Sequence, residues 1–195
     1  MKYNKSKTKI KIMEAGLDLF LSQGYDETTI SQILEKSNTS RSAFYHHFRG
    51  KDELLFSVAY MYDDEYDTWL ESCDNTLHTV DKLISFNKFV AETLENSRYC
   101  DLYPSLYGLQ VTTNSIRHIL NQDRRYYQIL RKILKQGQDI GEIISQPSYT
   151  ELTNLITSFQ IGITYNWCLQ RQWYSLPDYF STLLNPFLES LRKCK

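Results

Sequence analysis

Glycine and proline are scarce, seven and four in a chain of 195 residues, so the punctuation of hairpin-rich and barrel folds is largely missing. The β-branched residues do not alternate with polar ones over any long run, which argues against half-buried strands and leaves helix as the default. Long apolar runs are missing too. Charges interrupt each hydrophobic stretch well short of the roughly 20 residues that cross a bilayer. The start, MKYNKSKTKIKIMEAG, does not read as a signal segment, because Glu14 and Asp18 cut into the apolar run it would need. A cytoplasmic location is expected. Four cysteines, Cys73, Cys100, Cys168 and Cys194, lie far apart with no C-x-x-C pair and no histidine at ligand spacing. They read as reduced thiols, mostly packing residues, with a redox switch left open.

Enzyme signatures are absent as well. The chain holds no H-E-x-x-H, no G-x-S-x-G and no glycine loop for phosphate. The adjacent His46 and His47 would point about 100° apart on a helix and do not chelate readily. Neither catalysis, nor a metal, nor a cofactor is expected.

What is present is an ordinary globular composition, 42% hydrophobic and 23% charged, in a length that suits one domain with an appendage or one elongated domain. The net charge of -1 hides an asymmetry. Residues 1–51 carry nine Lys or Arg against five Asp or Glu, and the remainder is acidic. The five lysines of the first eleven residues suit a polyanion, or a solvated terminus.

Helical periodicity runs through the chain. Ile10, Met13, Leu17, Phe20 and Leu21 share one face, with Gly24 as a stop. Thr29 opens TISQ, a capping box with Gln32, and Ile30, Ile33 and Leu34 supply the buried side of a second helix. Asn38 suits a left-handed turn residue, and Ser40 can cap a third helix with one apolar stripe, Phe44 and Phe48. Its other face shows Arg41, Ser42, Tyr45 and His46. A single long helix is predicted from Lys51 to about Cys73, through Leu55, Val58, Tyr62, Tyr66 and Trp69. Further helices are predicted at about 80–96, 102–111, 114–136, 149–171 and 176–193, with a kink or break near Asn185 ahead of Pro186.

Two short helices joined by a tight turn match the helix-turn-helix plan, in which the later helix lies in the DNA major groove. Arg can pair bidentately with guanine, and Ser can bond either kind of base. At this point GYDETTISQILEKSNTSRSAFYHHFRGKDELL, residues 24–55, resembles the TetR type of bacterial transcriptional regulator. The Gly-aromatic, the Thr-Thr, the capping Ser, the Tyr-x-His-Phe and the Lys-acid-x-Leu-Leu stand at that family's spacings.

The resemblance implies an all-α fold. A helix-turn-helix DNA-binding domain (1–51) would be joined through a long fourth helix to a helical ligand-binding and dimerisation domain (52–195). It implies that Arg41 and Ser42 read bases, with Ala43 near a thymine methyl and Ser31 and His46 at the margin. Thr29, Ser40, Tyr45, His47 and Lys51 would set register on the DNA, chiefly through phosphate. For Tyr45 and His47, packing against the first helix is the alternative. It also implies a homodimer on a palindromic site, each subunit giving its last two helices to a four-helix bundle. Candidate seam residues are Leu155, Ser158, Gly162, Tyr165 and Leu169, then Leu183, Leu184, Phe187, Leu188 and Leu191, though some must be intrasubunit core.

Residues 52–195 hold 21 aromatics, many beside polar groups. Tyr62, Tyr66 and Trp69, flanked by Asp63 and Asp67, could line a pocket for an aromatic or cationic inducer, or be core. Asn87, Tyr103, Tyr107, Gln110 and His118 are further candidate lining groups. The expected function is a ligand-released repressor. The alternatives are an activator without inducer control and a module that keeps the helix-turn-helix shape without reading DNA. On the DNA-binding reading the protein would associate with the nucleoid.

Overall fold

A computed structural model describes residues 6–113 and 116–193; Cys194 and the lysines at positions 2 and 5 lie outside them. The fold is all-α, and among the described residues the nearest thing to a sheet is one isolated bridge, Ile143 to Arg192. No helix among them is long and apolar enough to cross a membrane. They fall into two compact units, drawn from Met1–Met61 with Arg98–Asn121 and from Tyr62–Ser97 with Gln122–Lys195.

The first unit begins with α1 (Lys7–Gln23), capped by the Ser6 hydroxyl and stopped at Gly24, whose φ of 90° disfavours a side chain. α2 (Ile30–Ser37) and α3 (Arg41–His47) pack on α1, as does α4 (Lys51–Phe56). Gly16 makes that last approach possible, since a Cβ there would lie 2.7 Å from Leu54 Cδ1. A 3₁₀ turn at Cys100–Leu102 leads into α7 (Tyr103–Thr112), which packs on α4.

The second unit contains α5 (Asp63–Ser72), α6 (Thr79–Glu95), α8 (Arg125–Asp139), α9 (Tyr149–Leu169) and α10 (Leu176–Ser190). α10 lies on α6 and α9, and α8 on α5, α6 and α9. Trp69, Phe86 and Tyr126 stack through its core at centroid distances of 4.7 and 5.8 Å.

Three expected boundaries change. The run from Lys51 to Cys73 is not one helix: α4 gives way to a 3₁₀ turn at Ser57–Tyr60, and α5 starts afresh at Asp63. Ser57 Oγ donates to the Leu54 carbonyl at 2.6 Å, a competing local bond, and Asp63, Asp64 and Glu65 suit a new helix N-terminus. Of the segment 114–136, residues 116–124 hold only a 3₁₀ turn at His118–Leu120, and the helix begins at Arg125. α10 runs unbroken through Pro186. Pro186 and Thr182 are both exposed, so the carbonyl that loses its partner faces water while Phe180, Leu184 and Leu188 stay buried.

Of the described cysteines only Cys168 is buried, and burial pushes its thiol up to about 12. Iodoacetamide at neutral pH is therefore expected to leave Cys168 unmodified in the native protein, read by peptide mass spectrometry. Labelling there at the rate of a free thiol would show that this core opens.

Candidate nucleic-acid interface

The turn between α2 and α3 is built locally. Thr29 and Gln32 form the expected capping box, with Gln32 Oε1 accepting from Thr29 N at 2.8 Å. Asn38 adopts φ 49° and ψ 51°, its N-H reaching back to Glu35, and Thr39 N-H closes on the Leu34 carbonyl at 3.1 Å. Ser40 Oγ then accepts from Ala43 N at 3.1 Å and starts α3.

α3 is two-faced. Phe44 and Phe48 are buried, their rings 5.8 Å apart. Ser40, Arg41, Ser42, Tyr45 and His46 are exposed, and Ala43 is half-buried. The Arg41 guanidinium stands 5.9 Å from the centre of the outward Tyr45 ring, a cation-π arrangement that keeps both side chains on the solvent side. On α2, Ser31 is exposed, and so is Thr29, although its backbone N-H is already taken by Gln32.

Two expected phosphate groups are placed otherwise. His47 is half-buried, its Nε2 3.3 Å from Ser6 Oγ at the start of α1. Loss of solvation, then His46 and Lys9, hold its pKa below that of free histidine, which favours the neutral ring. The packing alternative therefore describes His47 in the free protein, whereas Tyr45 points outward. Lys51 bends back onto the α1–α2 turn, with hydrogen bonds to three carbonyls. Arg49, which the sequence reading passed over, is exposed at the end of α3. The signal available was its place in Phe-Arg-Gly-Lys, directly after α3.

The candidate ligand-lining residues divide between the two units. Tyr62, Tyr66, Trp69 and Asn87 belong to the second unit and are buried. The flanking Asp63 and Asp67 do not form an open acidic rim: they face Arg124 (3.8 Å) and Arg125 across α5 and α8. Burial nonetheless raises the Asp63 pKa against the pull of Arg124. Asn87 Nδ2 donates to Leu83 O at 2.6 Å and its Oδ1 accepts from Gln160, a buried polar pair between α6 and α9. Tyr103, Tyr107, Gln110 and His118 belong to the first unit. There Tyr60 Oη is 2.7 Å from His118 Nδ1 and accepts from Asn121 Nδ2 at 3.1 Å. Gln110 is also buried, its Oε1 accepting from Ile119 N at 3.3 Å.

The candidate seam divides. Leu155, Ser158, Gly162, Tyr165 and Leu169 of α9 are exposed, and a Cβ at Gly162 would meet nothing within 4 Å. Leu155, Ser158 and Gly162, with Phe159 and Leu183, line an open apolar groove between α9 and α10. Phe187 lies at its side, 5.1 Å from Phe159. Leu184, Leu188 and Leu191 must be struck from the seam: they are at most 2% exposed and serve the core of their own chain. Phe159 was missed, though it stands one helical turn after Leu155.

Residues 12–58 match the family model described as bacterial regulatory proteins, tetR family. Over 141 residues the chain is 26% identical to the HTH-type transcriptional regulator QacR of Staphylococcus aureus, covering 69% of this chain and 72% of that one. It is 32% identical over 117 residues to IcaR, the negative transcriptional regulator of a biofilm operon in Staphylococcus epidermidis, covering 58% of this chain and 62% of IcaR. Among solved structures, FadR of Thermus thermophilus, a repressor in complex with lauroyl-CoA, shares the fold with a TM-score of 0.75 at 18% identity, over 96% of each chain.

Proposed function

Because the chain belongs to the TetR family of bacterial transcriptional regulators, we propose that it is a repressor that binds a palindromic operator as a homodimer and leaves it when a small molecule binds. Residues 1–51 act as the DNA-binding domain and 52–195 as the ligand-binding and dimerisation domain. The protein works in the cytoplasm, on the nucleoid when bound. The single observation that carries this reading is the polar, outward face of α3, with Arg41, Ser42, Tyr45 and His46 presented over the Phe44 and Phe48 stripe. Arg41 and Ser42 read base edges, Ala43 meets a thymine methyl, and Ser31 and His46 lie at the margin. Ser40, Tyr45 and Thr29 set register on the backbone.

The homodimer is supported by the apolar groove on α9 and α10, since exposed patches of this kind mark association surfaces. The ligand reading is supported by Gln110. Ile119 fixes which end of its amide is oxygen, and Nε2, also buried, has no hydrogen-bond partner among the described residues. Such a donor costs about 1–3 kcal/mol, which an acceptor atom on a ligand would offset. The neighbour FadR is a repressor with an acyl-CoA bound. Release requires the ligand to favour the state that cannot hold DNA, because equal affinity for both states shifts nothing.

The test is selection of bound fragments from the source genome with purified protein. A palindrome is expected, its half-sites one helical turn, about 34–36 Å, or a multiple apart. Arg41→Ala should then relax preference at one base step, a loss of about 1–3 kcal/mol in discrimination. Enrichment of no common sequence, or an Arg41→Ala protein with the wild-type preference, would remove the assignment.

A further inference from the structure

Lys51 opens α4, and its ammonium is fully occupied within the chain. Nζ donates to the carbonyl oxygens of Tyr25 (2.8 Å), Asp26 (3.1 Å) and Thr28 (3.1 Å), and stands 4.4 Å from the centre of the Tyr25 ring. An ammonium group has three protons, and three acceptors account for all of them. The carbonyls belong to the turn that joins α1 to α2. The same turn is tied by Thr28 Oγ1 to Gly24 O at 2.7 Å and by Gln23 Nε2 to Glu27 O at 3.2 Å. It ends at Thr29, the cap from which α2 starts. Burial, then Asp52 and Asp26, push the Tyr25 hydroxyl up to about 12, so the ring meets Lys51 as a neutral face.

We propose that Lys51 is a positioning residue, a clamp that holds the α1–α2 turn against the start of α4 and so sets where the first turn of α2 sits, rather than a contact to phosphate. The proposal rests on the DNA-binding reading above. A lysine on a phosphate releases a counterion and steepens the salt dependence of binding; a lysine spent on three carbonyls does not. The two roles also differ in what can replace them. Arginine serves a phosphate at least as well as lysine. Its donors lie in one plane, and they cannot meet three carbonyls that converge on a single tetrahedral nitrogen.

The experiment titrates a short duplex of random sequence with the full-length protein at several salt concentrations, for wild type, Lys51→Met and Lys51→Arg. Amide exchange is followed at Gln32 and Ile33, in the first turn of α2, and at Phe48. Both substitutions are expected to weaken binding about tenfold, the equivalent of one or two hydrogen bonds, with an unchanged salt slope. Exchange should quicken at Gln32 and Ile33 and not at Phe48. A slope shallower by about one phosphate per subunit, or wild-type affinity in Lys51→Arg, overturns the clamp. Should Lys51→Met fail to fold, Tyr25→Leu removes the ring without altering charge; it is expected to quicken the same two amides, and unchanged exchange there overturns the proposal. Wild-type protein that binds no duplex at all would sink the DNA-binding reading instead, leaving the exchange data to judge the clamp.

Discussion

Phe159→Arg is expected to convert the protein into a folded monomer and to lower operator affinity by roughly 10²–10⁴-fold. Phe159 is 42% exposed on α9, beside Phe187 and one turn from Leu155 and Gly162. An arginine there keeps its charge in water in the single chain, so the helix content and melting temperature should stay near wild type. In a dimer the same charge would be buried against its symmetry mate, a like-charge contact without a partner. Each half-site then binds alone and the avidity of two linked recognition helices is lost, which sets the magnitude. Sedimentation velocity and operator titration check the two halves. A variant that sediments as a dimer with undiminished operator affinity would mean that this groove is not where the subunits meet.

Phe44→Ala is expected to cost about 3–5 kcal/mol of stability and to abolish DNA binding through the loss of α3 itself. Phe44 is fully buried, in ring contact with Phe48 and Tyr45, and α3 is only seven residues long. So short a helix has little stability of its own and persists through the packing of this one stripe on α1. Because whole domains are stable by only about 5–15 kcal/mol, the deletion consumes much of the margin. Urea unfolding followed by circular dichroism measures it, with limited proteolysis locating the opened segment. A loss below about 1 kcal/mol would show that α3 is held by something other than this contact.

Features decided within a few residues were legible in the amino-acid string. The Thr29 to Gln32 capping box, the left-handed Asn38, the Ser40 cap and the Phe44 and Phe48 stripe all appear as read, because each is an interaction across four residues or fewer. Periodicity misled where it was continuous but the backbone was not. Leu55, Val58, Tyr62, Tyr66 and Trp69 are each buried, before and after the 3₁₀ turn, so the pattern could not reveal the break at Ser57. It also overreached ahead of Arg125, where the described residues 116–124 make only a short 3₁₀ turn.

By itself, the sequence determined the helix-turn-helix unit: which of its helices form, where the turn lies, and that Arg41, Ser42 and Tyr45 share the face opposite the phenylalanines. Only the tertiary structure decided which apolar positions their own chain covers, burying Leu184 and Leu191 while leaving Leu155, Phe159 and Leu169 open. It also decided that Lys51 spends its protons on carbonyls 23 to 26 residues away. A helical pattern specifies a face, whereas what meets that face depends on contacts between residues distant in the chain, and no local spacing encodes them.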